Sequence, residues 1–292
     1  MKVGGQAVIE GVMMKSKDLW SVAVRDKKGE IHVKKERLRP LPKFLKLPFA
    51  RGVYALYQAL ALGIKAIDYS ASKALDEDEK PLSSTAITLT MLFAFALGIG
   101  IFLFLPLYLT KLLAMFVRPV ADSSFLFNVV DGILRVGFFV IYIFVISLWK
   151  DMRRIFEYHG AEHKVIFAYE AGTGMGLDNI RKFSTHHPRC GTSFLFIVML
   201  MSILVFSIIP KTWDFSWKFA SRIVLIPLIA GLSYEILKYS AKASSNPIVK
   251  FLIKPGLMLQ HITTKDPDDA QLEVALRALT EVIPDLEPEK PS

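Results

Sequence analysis

The sequence predicts a mainly α-helical, polytopic membrane protein with about four transmembrane helices and a small β-rich segment at the N-terminus. Its 292 residues are 52% hydrophobic. Residues 82–110, a stretch of 29, contain no Asp, Glu, Lys or Arg, and about 20 apolar residues suffice to cross a bilayer. A second charge-free run, of 20 residues at 191–210, predicts another span.

Two weaker segments bring the predicted number of spans to four. Residues 132–149 are interrupted only by Arg135 near their start, and residues 223–237 carry Glu235. The four spans together define a transmembrane domain over residues 82–240.

The distribution of basic residues predicts which side of the membrane each segment faces. Four spans place three segments on one side, and these hold 30 of the 36 Lys and Arg residues: 1–81, 150–190 and 238–292. Because basic loops stay in the cytoplasm, we expect a multi-pass protein of the cytoplasmic (inner) membrane with both termini cytoplasmic. Topology and contact with the anionic lipid bilayer then explain the net charge of +9, and no nucleic-acid partner is expected.

Two cytoplasmic units are predicted before the first span. No cleavable signal peptide is expected, because Gln6 and Glu10 break the apolar run at the N-terminus. Residues 1–47 predict a β-rich segment in which a hairpin turns at Gly29, the residue that takes the positive-φ position. Residues 48–81 predict an interfacial helix followed by an acidic linker.

Residues 241–292 predict cytoplasmic interfacial and amphipathic helices after the last span. In the final helix, Leu272 and Leu279 belong to an apolar stripe, and Asp266 is the predicted N-cap. Exposed helices of this kind suit the docking of a membrane protein or peptide partner.

The functional prediction depends on the motif His159-x-x-Glu162-His163 in the loop at 150–190. Since a helix has 3.6 residues per turn, the two histidines lie on one helix face. Two imidazoles at i and i+4 can bind one zinc ion, and Glu162 could act as the general base, in the order H-x-x-E-H. The alternative interpretation is the polar end of a membrane helix, which His and Glu also suit.

A catalytic zinc ion also requires a third protein ligand, and the sequence leaves its identity open. His187 and Cys190, the only cysteine, lie at the cytoplasmic end of the third span, and Glu170 and Glu235 are weaker candidates. A helix running straight on from the second span would carry His159 about 15 Å beyond the membrane interface, away from Cys190. The question is therefore whether Cys190 or His187 comes within ligand distance of the motif.

Two further acids have a functional and a structural interpretation. Glu235 lies inside a predicted span, where a carboxylate costs about 2.5 kcal/mol or more unless it is paired or solvated. It therefore either has a function or is solvated near Lys238. Glu10 lies among the glycines of GGQAVIEGVMM, so it either reaches the site as a second catalytic acid or sits on the surface of a tight turn.

Five motifs resemble the bacterial YqhQ family, and they occur in this order over nearly the whole chain: GGQAVIEGVMM, FARGV, HGAEHK, HPRCGT and LQHITTKDPDDAQLEVAL. The resemblance implies integral membrane proteins that are predicted to be metal-dependent enzymes, without implying a reaction. According to this resemblance, seven residues of the chain occupy positions in the family's motifs: Glu10, His159, Glu162, His163, His187, Arg189 and Cys190.

The leading hypothesis is a zinc-dependent hydrolase at the cytoplasmic membrane face, acting on an amide or ester in a lipid-proximal or membrane-peptide substrate. The two motif histidines would bind the divalent metal, with Cys190 or His187 as the third ligand. The alternative is a non-enzymatic membrane factor that assists protein insertion, transport or complex assembly. A transporter is a third class, for which Asp131, Arg135 and Glu235 provide few intramembrane charges.

Overall fold

The structure is a computed structural model, and it describes residues 3–40, 42, 47–74, 84–210, 212–242, 246–284 and 286. The acidic linker predicted within 48–81 lies outside the described residues. Helices dominate the described chain, as predicted, and a small sheet precedes them. Its strands are β1 (Gly4–Val8), β2 (Gly11–Lys15), β3 (Leu19–Arg25) and β4 (Ile31–Arg37).

Twelve α-helices follow within the described residues. The first five are α1 (Ala50–Ala74), α2 (Ser84–Ile99), α3 (Leu105–Ala114), α4 (Arg118–Asp122) and α5 (Ser124–Ser147), and a π-helical turn, Gly100–Phe104, joins α2 to α3. The other seven are α6 (Lys150–Ala171), α7 (Leu177–Ile180), α8 (Gly191–Phe206), α9 (Phe215–Val224), α10 (Ile226–Lys242), α11 (Pro247–Thr263) and α12 (Asp269–Val282).

The N-terminal strands form an antiparallel sheet in the order β1-β2-β3-β4, which confirms the predicted small β-rich segment. Gly29 has a φ of 90°, as predicted for the turn between β3 and β4. One face of the sheet buries Trp20 against Leu62 of α1. The other face buries Met14 in a core that includes Leu279 of α12 and residues of α6. Helices therefore cover both faces, and β1 remains at the edge beside α6.

Two helical segments of the described chain are long and apolar enough to cross a membrane, Thr88–Ala114 and Ser124–Ser147. The pair α9 and α10 is a third candidate, although the two helices meet at an angle of 45°. The predicted span at 191–210 becomes α8, which is apolar but has only 16 residues, fewer than the roughly 20 that a full crossing needs. Length and composition thus identify two or three candidate spans.

A buried charge cluster joins three of the apolar helices. The carboxylate of Asp131 in α5 lies 2.9 Å from the guanidinium of Arg135 and 3.1 Å from that of Arg222 in α9. Arg135 also donates to the Ser202 hydroxyl of α8 at 3.2 Å, and both guanidinium groups lie over the ring of Phe206. Two of the three charges considered for a transporter, Asp131 and Arg135, therefore belong to a packed ion-pair network between helices.

The final helix begins two residues later than predicted. Asp268, rather than Asp266, is the N-cap: its carboxylate accepts the Gln271 N–H at 2.8 Å, and the Gln271 side chain accepts the Asp268 N–H at 2.9 Å. This reciprocal capping box satisfies two backbone donors at once. Asp266 instead forms an ion pair with Lys164 of α6 at 3.4 Å.

Candidate metal centre

The helix with the histidine motif is not a continuation of the second candidate span. Trp149 has extended backbone angles, φ −80° and ψ 136°, so the helical path is interrupted between α5 and α6. The straight continuation that would separate His159 from Cys190 is therefore absent. The interruption allows α6 to lie beside the N-terminal end of α8.

Gly160 allows the chain after α11 to pack closely on α6. A Cβ atom at this position would lie 1.9 Å from the carbonyl oxygen of Lys265, so a side chain could not fit without movement of the backbone. The Lys265 N–H also donates to the Phe156 carbonyl at 2.9 Å. This contact brings the carbonyl of Thr263 to the imidazole of His159, with a distance of 2.8 Å to Nδ1.

The two motif histidines lie on one face of α6, with their ring centroids 4.5 Å apart. His163 is 2% exposed, and its Nδ1 is hydrogen-bonded to the carbonyl oxygen of Thr185. Because a carbonyl can only accept, Nδ1 of each ring carries the proton, which leaves the Nε2 lone pair available. Metal-bound histidines are commonly held by such a bond at the other nitrogen.

Cys190 lies at the N-cap of α8, where its sulfur accepts the N–H of Thr192 at 3.4 Å. The sulfur is 3.2 Å from Nε2 of His159. One ligand atom each from His159, His163 and Cys190 lies within 4.8 Å of the other two. The structure therefore places Cys190, one of the two candidate third ligands, within ligand distance of the motif.

The chemistry of these three groups fits a zinc site. Two imidazoles and one thiolate leave the fourth tetrahedral position open, which is the arrangement of catalytic zinc centres. The backbone carbonyls at Thr185 and Thr263 provide the outer hydrogen bonds that such imidazoles need. His159, His163 and Cys190 could therefore hold a divalent metal, with the two carbonyls orienting the imidazoles.

Glu162 is buried beside the three groups, and its side chain approaches the backbone of Gly5 in β1. A Cβ atom on Gly5 would lie 2.9 Å from Cγ of Glu162, so only glycine leaves room for this carboxylate. Burial raises the pKa of Glu162 to about 7, although nearby His159 and a hydrogen bond from the Gly5 N–H act in the opposite direction. A carboxylate with this pKa can exchange a proton at neutral pH.

His187 lies outside the group of three. Its Nδ1 accepts the Arg189 N–H at 3.2 Å, and its Nε2 lies 3.5 Å from the carboxylate of Glu170. Burial and the proximity of His163 lower the pKa of His187 to about 4, so this imidazole is neutral. Arg189 forms an ion pair with the same carboxylate of Glu170. Both residues line the site, and the structure pairs both with Glu170.

Two of the predicted site residues lie elsewhere. Glu10, with a φ of 51° in the turn between β1 and β2, forms an ion pair with Arg154 and accepts the Tyr158 hydroxyl at 3.3 Å. Glu235 forms an ion pair with Arg51 of the FARGV motif, whose Nε donates to it at 2.6 Å. The structure therefore does not bring either carboxylate to the candidate centre.

A cavity of about 400 Å³ lies in front of the centre. Its walls come from β1, α1, α6 and the start of α8, and they include Gly4, Gly5, Gln6, Ala7, Ala59, His159, Glu162, His163, His187, Arg189, Cys190 and Thr192. Sequence reasoning missed the wall formed by β1, although the glycines of GGQAVIEGVMM signalled a close backbone approach. It also missed the carbonyls that orient the imidazoles, since any residue type supplies them.

The fold and the site define a class: a mainly helical protein with two or three helices that could span a membrane, a small N-terminal sheet, and a His–His–Cys group beside a buried acid. Residues 47–285 match the family described as "Protein of unknown function (DUF1385)". The chain belongs to this family.

A relative supports this membership over a longer part of the sequence. The chain is 32% identical to "Uncharacterized protein YqhQ" of Bacillus subtilis (strain 168) over 293 residues, which cover 96% of this chain and 92% of the relative. The YqhQ-like resemblance drawn from the five motifs is thus confirmed. No solved structure matches the chain.

Proposed function

We propose that the protein is a zinc-dependent hydrolase of amide or ester bonds at the cytoplasmic face of the inner membrane. The observation that carries this proposal is the convergence of His159, His163 and Cys190 in one cavity with Glu162. Three ligands, an open position and a buried acid with a raised pKa are the components of metal-assisted hydrolysis.

Each residue has a separate role in this proposal. His159, His163 and Cys190 would hold the metal, which when bound polarises a carbonyl and makes water a better nucleophile at neutral pH. Glu162 would accept a proton from the attacking water and return it to the leaving group. Arg189 would shape the cavity wall. Glu10 and Glu235 have no part in this chemistry, since each forms an ion pair with an arginine.

The membrane arrangement is part of the same proposal. The α8 helix and the bent pair of α9 and α10 would complete four spans, and the excess of Lys and Arg would hold both termini in the cytoplasm. The sheet at 1–47 and the helices at 241–292 would then form the cytoplasmic part around the site. The partners would be the lipid bilayer and a membrane protein or peptide, not a nucleic acid.

The contact between Cys190 and His159 supports a second candidate function. Since Nδ1 of His159 donates to Thr263, its Nε2 can accept the thiol proton at 3.2 Å and activate Cys190 as a nucleophile for acyl transfer. A variant of His163 distinguishes the two candidate functions. His163 would be a ligand in the metal-dependent hydrolase, whereas it would have no role in acyl transfer by the Cys190–His159 pair.

The test is a variant that removes the base and keeps the ligands. In a strain that lacks the gene and has a defined defect, Glu162→Gln should fail to restore growth, while the purified variant keeps the wild-type zinc content. Loss of a general base typically lowers the rate about 10²- to 10⁴-fold. The control is Glu157→Gln, which changes another acid of α6 outside the cavity.

Two results would change the conclusion. Full restoration of growth by a folded, zinc-loaded Glu162→Gln variant would support the non-enzymatic membrane factor that assists insertion, transport or complex assembly. An active His163→Ala variant combined with an inactive Cys190→Ala variant would support the thiol–imidazole pair.

A further inference from the structure

The edge strand of the sheet forms one wall of the candidate metal centre. The strand order leaves β1 with a partner on one side only, and residues Gly4 to Ala7 line the cavity. An edge strand carries backbone N–H and C=O groups that another extended chain can pair with. The cavity wall that β1 forms is therefore a backbone surface as well as a set of side chains.

The register shows which residues of β1 point away from β2. Val8 pairs with Gly11 across the two-residue turn that joins β1 to β2, and residues in this position bond to each other through their N–H and C=O groups. Because hydrogen-bonded pairs alternate along antiparallel strands, Gln6 also directs its N–H and C=O toward β2. The alternate residues, Gly5 and Ala7, direct theirs outward.

The outward groups next to Gly5 are available for pairing. Among the hydrogen bonds of the described residues, none uses the Gly5 carbonyl or the N–H and carbonyl of Ala7. They face a cavity that Glu162, His159, His163 and Cys190 also line. A lipid acyl chain has no groups that could satisfy these donors and acceptors, whereas a peptide in extended conformation has both.

We infer that the substrate is a polypeptide that binds in extended conformation as an added strand on β1, with the bond to be cleaved next to the metal centre. This inference rests on the proposed metal-dependent hydrolysis and names its substrate class. Main-chain hydrogen bonds at the Gly5 carbonyl and at the N–H and carbonyl of Ala7 would fix the register, as in other cases of strand addition. The cavity of about 400 Å³ would hold a short segment of the chain.

The test compares two probes on the purified, zinc-loaded full chain in detergent. Acetohydroxamate reports binding to the metal alone, and a hexapeptide hydroxamate reports binding to the metal and to β1. We expect the peptide probe to bind at least 10-fold more tightly. Ala7→Pro removes the outward N–H without removing a bond to β2, so it should abolish this 10-fold advantage and leave acetohydroxamate binding unchanged. Ala7→Ser keeps the N–H and should retain the advantage.

A second measurement does not depend on how well the proline variant folds. In the wild-type chain, the peptide probe should slow hydrogen exchange at the Ala7 amide, and acetohydroxamate should not. Acetohydroxamate binding without any advantage for the peptide probe would overturn the peptide substrate but keep the metal centre. An octanoyl hydroxamate that binds the wild-type chain as tightly as the peptide probe, and keeps this affinity in the Ala7→Pro variant, would point to a lipid ester instead. Failure of both probes to bind would overturn the metal-dependent function itself.

Discussion

At the scale of single residues, the candidate centre depends on which nitrogen of each imidazole faces the cavity. A neutral imidazole has one N–H and one lone pair. The carbonyls of Thr263 and Thr185 bind Nδ1 of His159 and His163, so both lone pairs lie at Nε2 before any metal binds. Both rings therefore already have the tautomer that a metal ion would need. Binding of a metal ion would not require the ring proton to move from one nitrogen to the other.

The two adjacent glycines at the start of β1 have different roles, which gives a matched prediction. A Cβ at Gly5 would lie 2.7 Å from the Met13 carbonyl oxygen and 2.9 Å from Cγ of Glu162, whereas a Cβ at Gly4 would meet no atom within 4 Å. We expect Gly5→Ala to lower the stability by about 1–3 kcal/mol, as overpacking does. Gly4→Ala should change it by less than about 0.5 kcal/mol.

Thermal unfolding of both variants in the same detergent measures this difference. Equal melting temperatures for Gly4→Ala and Gly5→Ala would show that Glu162 does not lie against the β1 backbone as described.

At the scale of elements, the site forms where α6 meets the connection between α11 and α12. Gly160 permits this approach, and the interruption at Trp149 lets α6 leave the path of α5. Helical spacing alone predicted that His159 and His163 share a face. The sequence named Cys190 and His187 as candidate third ligands but could not choose between them, because the choice depends on how α6, α8 and the segment after α11 pack.

The approach of these elements gives a prediction for Gly160→Ala. The added methyl group would collide with the Lys265 carbonyl and push the 263–265 segment away from α6. We expect the zinc affinity to fall by about 10- to 100-fold, the usual effect of losing an outer hydrogen bond to a ligand. Competition with a fluorescent zinc chelator measures the affinity.

The control is Gly137→Ala, at a helical glycine where a Cβ would meet no atom within 4 Å. Wild-type zinc affinity in Gly160→Ala would contradict the role assigned to the Thr263 carbonyl.

At the scale of the whole molecule, two or three helices of the described chain are long and apolar enough to cross a membrane. The mainly helical class and the N-terminal sheet could be predicted from charge-free runs and from strand and turn residues. The number of spans could not, because α8 has only 16 residues and the last candidate bends by 45° between α9 and α10. Hydropathy measures composition along the chain and does not detect such breaks.

Labelling of single cysteines tests the proposed orientation. In a Cys190→Ser background, a cysteine at Lys17 beside the sheet should react with a membrane-impermeant maleimide only after the cells are opened. A cysteine at Met115, exposed after α3, should react in intact cells. Labelling of the Lys17 position in intact cells would place the sheet and the candidate centre on the outer side.

The most direct test of the central claim is the metal content of the purified full-length chain, measured by mass spectrometry after removal of loosely bound ions. We predict about one zinc ion per wild-type chain and less than a tenth of that in the His159→Ala/His163→Ala double variant. The matched control is His186→Ala/His261→Ala, a second histidine pair with ring centroids 4.3 Å apart, which should keep the wild-type content. Near-stoichiometric metal in the His159→Ala/His163→Ala variant, or none in the wild type, would contradict the account.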